Sequence, residues 1–297
     1  MANKKELLEE FNGLQETRSL IVTYQEIAAM RMKRVKALVL RNREFLTDLN
    51  EIYQQVRYSY KKQYEMLKGK KGRSALPAGR QALGGAHLSA INDRVVSIFL
   101  SSNTMLYGDI VKKTFDLFMA SISKIETDVV IVGRIGLSLY LNKVSGSPPY
   151  KYFDLSDGAF SPSSLREIID HSLQYGKIYI FHGRFMTMLE QVPEKAVISG
   201  DLLEAGKKVY QDKRYIFEPS LEKIVEYFES EILTSFFDHS VHESYLSKYT
   251  ARMINLEGAV GNINGSLKKT AAKVAKLKHR VFSSKQHETI AGISLWG

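Results

Sequence analysis

Three adjacent residues, Asp238, His239 and Ser240, are of the types that form a hydrolytic catalytic triad. A triad requires the three side chains to meet, with the histidine placed between the acid and the nucleophile. The surrounding pattern is helical, and consecutive residues of a helix point in different directions. These three residues therefore cannot form a triad among themselves.

Composition restricts the other catalytic and metal-binding chemistries. The chain has 297 residues and no cysteine, which excludes disulfides, thiol nucleophiles and cysteine metal sites. Its seven histidines, among them His171, His182 and His242, show no metal-ligand spacing such as HExxH. We expect no catalytic residue, no cofactor and no metal in this chain.

The best candidate for contact with a phosphate is the segment Gly133-Arg-Ile-Gly136, which follows a predicted strand. A tight turn from strand to helix explains its glycines better, because GxGxxG after a strand and GxxxxGK[ST] are both absent. The Gly- and Ala-rich basic segment 69–92 follows no strand. It has no usable periodicity, which predicts a flexible loop or insertion.

Positive charge is concentrated at the two ends of a chain whose formal net charge is +10. Residues 1–73 hold 16 Lys and Arg against 9 Asp and Glu, and residues 250–297 hold 8 against 2. Residues 74–249 hold 18 against 21. Basic ends indicate solvated helix faces, or else an acidic protein partner, a nucleic acid or an anionic membrane surface.

The N-terminal region predicts one long helix. No glycine or proline lies between Gly13 and Gly69, a span of roughly 80 Å if helical. Apolar residues alternate at spacings of three and four, the pattern of a coiled-coil seam. They are Leu7, Phe11, Leu14, Ile21, Ala28, Met32, Val35, Val39, Leu46, Leu49, Tyr53, Val56, Tyr60 and Leu67. The polar positions on this seam are Arg18, Gln25, Asn42 and Gln63.

A second long helix is predicted from about Glu218-Pro-Ser220 onward, where proline suits a first helical turn. Its seam has the seven-residue repeat that implies a left-handed supercoil with another helix. It comprises Leu246, Tyr249, Met253, Leu256, Val260, Ile263, Leu267, Val274, Leu277 and Val281, with Thr270 as the one polar position. We expect an antiparallel coiled coil with the first helix; an ordinary bundle or an intermolecular coiled coil are the alternatives.

Strands and helices alternate in the middle of the chain, which predicts a Rossmann-like α/β domain with a parallel or mixed sheet. Strands or extended segments are predicted at 94–100, 128–132, 150–155, 177–182, 185–198 and 213–217. Helices are predicted at 105–125, after the strand 128–132 through Leu141, and from Ser161-Pro162. The predicted organisation is therefore a coiled-coil helix at 1–68, a loop at 69–92, an α/β domain at 93–217 and a coiled-coil helix at 218–297.

Two terminal motifs resemble the gamma subunits of F-type ATP synthases. The segment from Ile21 to Arg34 is similar to an I-T-x-A-M-x-x-V-A-A signature that leads into a basic run. Ala251-Arg-Met-Ile-Asn-Leu256 resembles the family's A-R-M-x-x-M, and further residues follow at the family's spacing. In the first motif the matching positions are Ile27, Ala28, Ala29, Met32, Lys33 and Arg34; after the second they are Arg280, Ser283, Gln286 and Thr289.

Three features depart from the family pattern. A glycine-rich G-L-C-G-G stretch is replaced by Asn103-Thr-Met-Leu-Tyr-Gly108, and Tyr24 stands where the first signature has methionine. The segment 69–92 looks like an addition. These differences indicate a divergent gamma subunit.

The resemblance implies a central rotor shaft inside a hexamer of alternating alpha and beta ATPase subunits. The shaft itself would be non-catalytic, and its further partners would be an epsilon-type subunit and a membrane rotor ring. Its contact residues would be Arg31, Lys33, Arg34, Arg252, Gln286 and Thr289. A cytoplasmic protein is the default location from the sequence, and the resemblance adds a peripheral place on the inner face of the cell membrane. No signal peptide or membrane-spanning run opposes that location.

Two other classes of function fit parts of the sequence. A nucleic-acid-binding coiled-coil protein fits the basic ends, although no reader motif or aromatic–basic platform accompanies them. An enzyme of the α/β domain with a helical dimerisation arm fits the strand–helix alternation. Salt-sensitive DNA binding would favour the first, and a nucleotide or metal retained on purification would favour the second.

Overall fold

The structure is a computed structural model that describes residues 2–70, 92–144, 149–157, 162–199 and 221–294. Several sequence predictions lie outside these ranges. They are the loop at 69–92 apart from its ends, the helix cap at Ser161, the extended segment 213–217 and the start of the second long helix.

Five helices and five strands make up the described chain. In sequence order they are α1 (Ala2–Lys70), β1 (Asn92–Leu100), α2 (Ile110–Ile122), β2 (Asp128–Val132), α3 (Arg134–Lys143), β3 (Tyr150–Phe153), α4 (Pro162–Ser172), β4 (Tyr175–Phe185), β5 (Gln191–Ser199) and α5 (Leu221–Ser294). The two long helices contain 69 and 74 residues. The sequence analysis predicted each of these elements. Its division of the chain at 68, 92 and 217 into four segments stays a prediction.

The sheet is mixed, with strand order β3-β2-β1-β4-β5. β3, β2, β1 and β4 run parallel, and β5 returns antiparallel to β4 as a hairpin. Helices cover both faces, because the side chains of each strand alternate between two apolar layers. This arrangement confirms the predicted α/β class.

Each face of the sheet has its own core. One contains Val96, Ile98, Val130, Ile178 and Ile180, packed with residues of α4 and α5 such as Ile168 and Phe237. The other is aromatic. It is formed by Phe99, Ile131 and Phe181 of the strands with Phe115, Phe118 and Tyr140 of α2 and α3. The two cores give a three-layer unit.

The predicted helix over 105–125 is shorter than expected. Before it, Leu106 and Gly108 adopt positive φ angles of 74° and 62°, which a right-handed helix does not allow. The helix α2 therefore begins only at Ile110, after Asp109.

The chain divides into two compact units. Met1–Arg31 with Arg252–Gly297 form the first, here named the two-helix unit, and Met32–Ala251 form the second, here named the α/β unit. The two-helix unit contains the start of α1 and the end of α5. The α/β unit contains the sheet, its covering helices and the remainder of the two long helices.

Helices α1 and α5 pair antiparallel in the two-helix unit. Arg18 Nε donates to Asn264 Oδ1 at 2.7 Å, and Thr270 Oγ1 donates to Glu10 Oε1 at 3.3 Å. Residue numbers thus increase along α5 where they decrease along α1, so the two helices run in opposite directions. The seam residues Ala28, Leu256 and Thr270 are buried. The antiparallel coiled coil is therefore confirmed, whereas its left-handed supercoil stays a prediction.

Candidate functional site

The six residues expected to contact partners are on the long helices. Lys33 and Arg34 are exposed on α1 in the α/β unit. The other four belong to the two-helix unit: Arg31, Gln286 and Thr289 are exposed and Arg252 is half-buried. Thr289 donates its hydroxyl to the Lys285 carbonyl at 2.8 Å. Their role in binding partners stays a prediction.

The turn at Gly133 has the geometry of a strand-to-helix corner. Gly133 has a φ of 96°, and a Cβ there would lie 2.9 Å from the backbone of Ser102. The amide of Arg134 donates to Asn103 Oδ1, and the amide of Ile135 donates to the Ser102 carbonyl, at 2.8 and 2.9 Å. The first amides of α3 are thus bonded within the chain, which supports the tight-turn interpretation over an anion site.

The three triad-type residues have three separate partners. Asp238 accepts a hydrogen bond from Asn42 Nδ2 at 3.0 Å, and Ser240 donates to the Phe236 carbonyl at 2.9 Å. His239 Nε2 lies 3.7 Å from a carboxylate oxygen of Glu243. These residues do not form a triad with one another, as the helical spacing predicted.

Asp238 instead interacts with His242, one turn further along α5. The His242 ring nitrogen Nδ1 lies 3.2 Å from Asp238 Oδ2. Burial alone would lower the pKa of His242, but the hydrogen bond to Asp238 and the charge of that residue raise it above its ordinary value.

A fully buried polar stretch of α5 is the most unusual feature of the α/β unit. Every side chain from Val241 to Thr250 is buried, including the charged Glu243 and Lys248. Buried charges are costly unless they are paired and hydrogen-bonded. The partners of these two residues therefore indicate what the stretch does.

Lys248 lies at the carboxyl end of β1. Its Nζ donates to the Ser101 carbonyl at 2.6 Å and lies 4.0 Å from Asp157 Oδ1. Burial lowers the pKa of Lys248 to about 8, against the opposing effect of the Asp157 charge. Asp157 Oδ2 accepts hydrogen bonds from the Asn103 and Thr104 amides at 2.8 and 2.7 Å.

Two tyrosines on the same face of α5 extend this attachment. Tyr245 donates its hydroxyl to the Ser156 carbonyl at 2.8 Å, and Tyr249 donates to the Asp157 carbonyl. The two rings stack with centroids 6.1 Å apart. Burial raises the pKa of Tyr245 far above its ordinary value, so the Tyr245 hydroxyl stays a donor.

The polar stretch of α5 closes the place where sheets of this topology bind ligands. In open α/β sheets that place is the crevice beyond the carboxyl ends of the strands, where the strand order reverses, here between β1 and β4. A Cβ at Gly183 of β4 would lie 2.5 Å from Ser247 Oγ of α5. A cavity of only about 10 Å³ remains beside Ser101, Ser244 and Lys248, room for about one water molecule.

Glu243 joins three elements on the other side of α5. Its Oε1 accepts hydrogen bonds from Arg43 of α1, at 2.8 Å from Nε and closer from Nη2. Its Oε2 accepts from the backbone amide of Phe185, at the end of β4, at 3.3 Å. The side chain is 2% exposed.

Sequence reasoning did not single out Glu243 or Lys248. The signal available was the largely polar segment 238–250, on a helix with an apolar seam. Such a run usually indicates a solvent-facing surface. Its burial depends on the sheet and α1, which enclose α5 here, and helical periodicity carries no information about them.

The fold and this closed crevice define a protein with an antiparallel pair of long helices and an α/β unit without an open ligand crevice at its strand-order reversal. Comparison with known proteins gives the family: the sequence model described as ATP synthase matches residues 3–281. The chain belongs to this family.

Similar curated proteins include the ATP synthase gamma chain of Clostridium perfringens, 24% identical over 213 residues, or 68% of this chain and 72% of the relative. The gamma chain of Neisseria gonorrhoeae is 23% identical over 221 residues, or 67% of this chain and 73% of the relative. Both are similar to this chain over about two thirds of its length.

Two solved structures share the fold. A chain of the Euglena gracilis mitochondrial ATP synthase rotor has a TM-score of 0.58 at 13% identity, covering 95% of this chain and 99% of that one. A chain of the Tetrahymena thermophila mitochondrial ATP synthase central stalk and c-ring has a TM-score of 0.53 at 14% identity, covering 81% and 99%. The combination of two long helices and a small sheet is thus shared with these structures.

Proposed function

We propose that this chain is the central rotor shaft of a rotary ATPase. It couples ATP hydrolysis or synthesis on a surrounding catalytic hexamer to rotation and ion transport. The observation that carries this function is the family match over residues 3–281, which runs through both long helices and the sheet between them. A long antiparallel helix pair resists bending and twisting, as a shaft requires.

The shaft is non-catalytic in this proposal. The crevice that would hold a nucleotide in a sheet of this topology is occupied by α5, through Lys248, Tyr245 and Ser247. Among the described residues, no group of His, Asp and Glu side chains could hold a metal ion. Nucleotide chemistry is then the task of the surrounding subunits.

The partners follow from the relatives. The matched solved structures are described as the rotor, the OSCP/F1/c-ring and the central stalk with c-ring of ATP synthases. For this chain we propose a hexamer of alternating alpha and beta subunits, a membrane rotor ring and an epsilon-type subunit. No helix within the described ranges is both long and apolar enough to span a membrane. Attachment to the membrane would then be peripheral, through partners.

Basic residues of the shaft are the proposed contacts with the hexamer. Arg31, Lys33 and Arg34 are exposed, as charge pairing with acidic loops requires. Each catalytic subunit would close or open as the asymmetric shaft presents a different face. This is a population shift, driven by contacts that differ between the two states.

A pull-down from native extract tests the proposal. The expected result is two ATPase-type subunits, each in threefold excess over this chain, as the hexamer requires. Calorimetry with the pure chain should show no micromolar ATP binding. Stoichiometric ATP binding, or recovery of the chain without ATPase subunits, would contradict the rotor function.

A further inference from the structure

Two buried charged residues of α5 bind neighbouring elements on opposite sides of the helix. Glu243 is 2% exposed and Lys248 is 6% exposed at the side chain. They are five residues apart on one helix, so at 3.6 residues per turn their side chains point in directions about 140° apart. Each therefore reaches a different part of the α/β unit.

On one side, Glu243 binds both the other long helix and the sheet. Its carboxylate accepts hydrogen bonds from Arg43 of α1 and from the Phe185 amide of β4. His239, which is also on α5, adds a contact, since its Nε2 lies 3.7 Å from Glu243 Oε1. Arg43 retains 39% exposure of its side chain, so this ion pair opens toward solvent on the α1 side only.

On the other side, Lys248 binds the carboxyl end of β1. It donates to the Ser101 carbonyl at 2.6 Å and faces the Asp157 carboxylate at 4.0 Å. Its ammonium also lies 4.9 Å from the centre of the Tyr245 ring. The Asp157 carboxylate is itself fixed by backbone amides of the loop that follows β1.

These contacts resist one motion above all, the rotation of α5 about its own axis. An apolar helix face can slip past its neighbours by exchanging one hydrophobic contact for another. Any rotation that separates Glu243 or Lys248 from its partners leaves a buried charge unpaired, which is strongly unfavourable. Because the two side chains point to opposing sides of α5, rotation in either direction separates at least one of them from its partners.

We propose that Glu243 and Lys248 form a torsional lock, which fixes α5 against the sheet so that torque passes between the shaft helix and the α/β unit. The inference rests on the proposed rotor function and adds the residues that transmit the force. Glu243 and Lys248 act through the elements they hold, so they are positioning residues.

The test uses the chain assembled with its catalytic hexamer, which is fixed to a surface. Because the chain has no cysteine, Lys124→Cys gives one labelling site for a bead on the α/β unit, where Lys124 is exposed. The torsional stiffness of the rotor is obtained from the angular fluctuations of the bead between ATP turnovers. The lock variant neutralises both members of each pair, as Arg43→Met with Glu243→Leu and Lys248→Met with Asp157→Asn. Replacing whole buried ion pairs by uncharged groups of similar volume often preserves stability, whereas removing one partner alone does not.

We expect the lock variant to melt near the wild-type temperature and to support wild-type ATP turnover, with torsional stiffness lowered about twofold. The matched control is Ser240→Ala with Thr250→Val. Both hydroxyls are buried on α5, and both donate to backbone carbonyls of α5 itself. The control should keep full stiffness. Equal stiffness in the lock variant and the control, whether both are high or both are low, would overturn the proposal.

A further measurement separates failure of the lock from failure of the rotor function. Should the wild-type chain not turn on any hexamer, the rotor function is wrong, and the lock is then tested in the free chain by amide hydrogen exchange. Exchange across 238–250 should be about tenfold faster in the lock variant than in the control, because local opening is easier. Identical exchange rates would overturn the lock independently of the hexamer.

Discussion

The two units of this chain differ in how completely their side chains are buried. Among the described side chains of the two-helix unit, only Ala28, Leu256 and Thr270 are buried; the other seam residues are partly exposed or exposed. In the α/β unit, by contrast, the ten side chains of 241–250 are buried without exception. Two helices can cover only a single stripe of each other, whereas a sheet with helices on both faces encloses whole elements.

This difference explains which interactions matter in each unit. The stability of the two-helix unit depends on a thin apolar stripe. A single charge introduced there therefore has few neighbouring side chains that could rearrange to accommodate it. The α/β unit has two cores and a buried polar network, so its weak points are cavities and unpaired polar groups. The four predictions below test this contrast, from the largest expected effect to the smallest.

The largest effect is expected in the two-helix unit. Leu256→Asp with Ile263→Asp places two carboxylates on the apolar seam, at one buried and one half-buried position. The pairing of α1 and α5 should be lost there, at a cost of about 4 kcal/mol or more. Circular dichroism should show reduced helix content, while amide exchange in β1 stays slow.

The control for that variant is Asn262→Asp with Ser266→Asp, which adds the same charge at exposed positions of α5. It should leave helix content unchanged. If the seam variant also kept its helix content and melting temperature, the antiparallel pairing would not be what stabilises this unit.

The α/β unit should be most sensitive to loss of volume. Phe118 is fully buried, stacked on Phe99 at 5.4 Å between centroids and edge-on to Phe181 at 5.3 Å. Phe118→Ala should lower the free energy of unfolding of this unit by about 3–5 kcal/mol. Denaturant unfolding measures it, with Phe282→Ala as control, because Phe282 is 61% exposed in the two-helix unit. A loss below about 1 kcal/mol would contradict the three-layer core.

The pH dependence of stability should reveal the buried ammonium of Lys248. Burial lowers its pKa from 10.5 to about 8 in the folded chain. Between these two values the unfolded chain binds the extra proton, so stability rises with pH through this window. Below the window both states carry the proton, and the destabilising contribution of Lys248 no longer changes with pH.

Relative to Lys248→Met, wild type should therefore gain stability from pH 8 to pH 10, by at most about 1.4 kcal/mol per pH unit. Urea unfolding at several pH values measures the difference. Lys268→Met, at an exposed position, is the control and should show no such trend. A flat difference for Lys248→Met would mean that the ammonium is not buried.

The smallest effect on stability is expected from reversing the proposed contact charges. Arg31→Glu with Lys33→Glu and Arg34→Glu should change unfolding by about 1 kcal/mol or less, because exposed charges contribute little. Association with the hexamer should weaken, and activation of its ATPase or its torque should change. The control reverses Lys112, Lys124 and Lys143, exposed residues of the sheet-covering region. Normal rotation by the Arg31 variant would mean that torque passes through shape and apolar packing.

Much of the fold could be predicted from local patterns. β2 coincides with the predicted strand 128–132, and the seam residues Leu256 and Leu267 face inward as their heptad positions require. At Val281 the heptad pattern no longer corresponds to a buried side chain, since this residue is 42% exposed. Periodicity states which face of a helix can be buried, but not how far along the helix a partner covers it.

The sequence by itself determined the class of this protein: apolar repeats specified two long helices, and alternation of strands specified the sheet. Only the tertiary structure decided the roles of Glu243, Lys248 and Asp157. Their pairings join residues as far apart as Arg43 and Glu243, 200 positions along the chain. A local pattern identifies a charged residue on a helix, whereas its desolvation depends on every element packed around it.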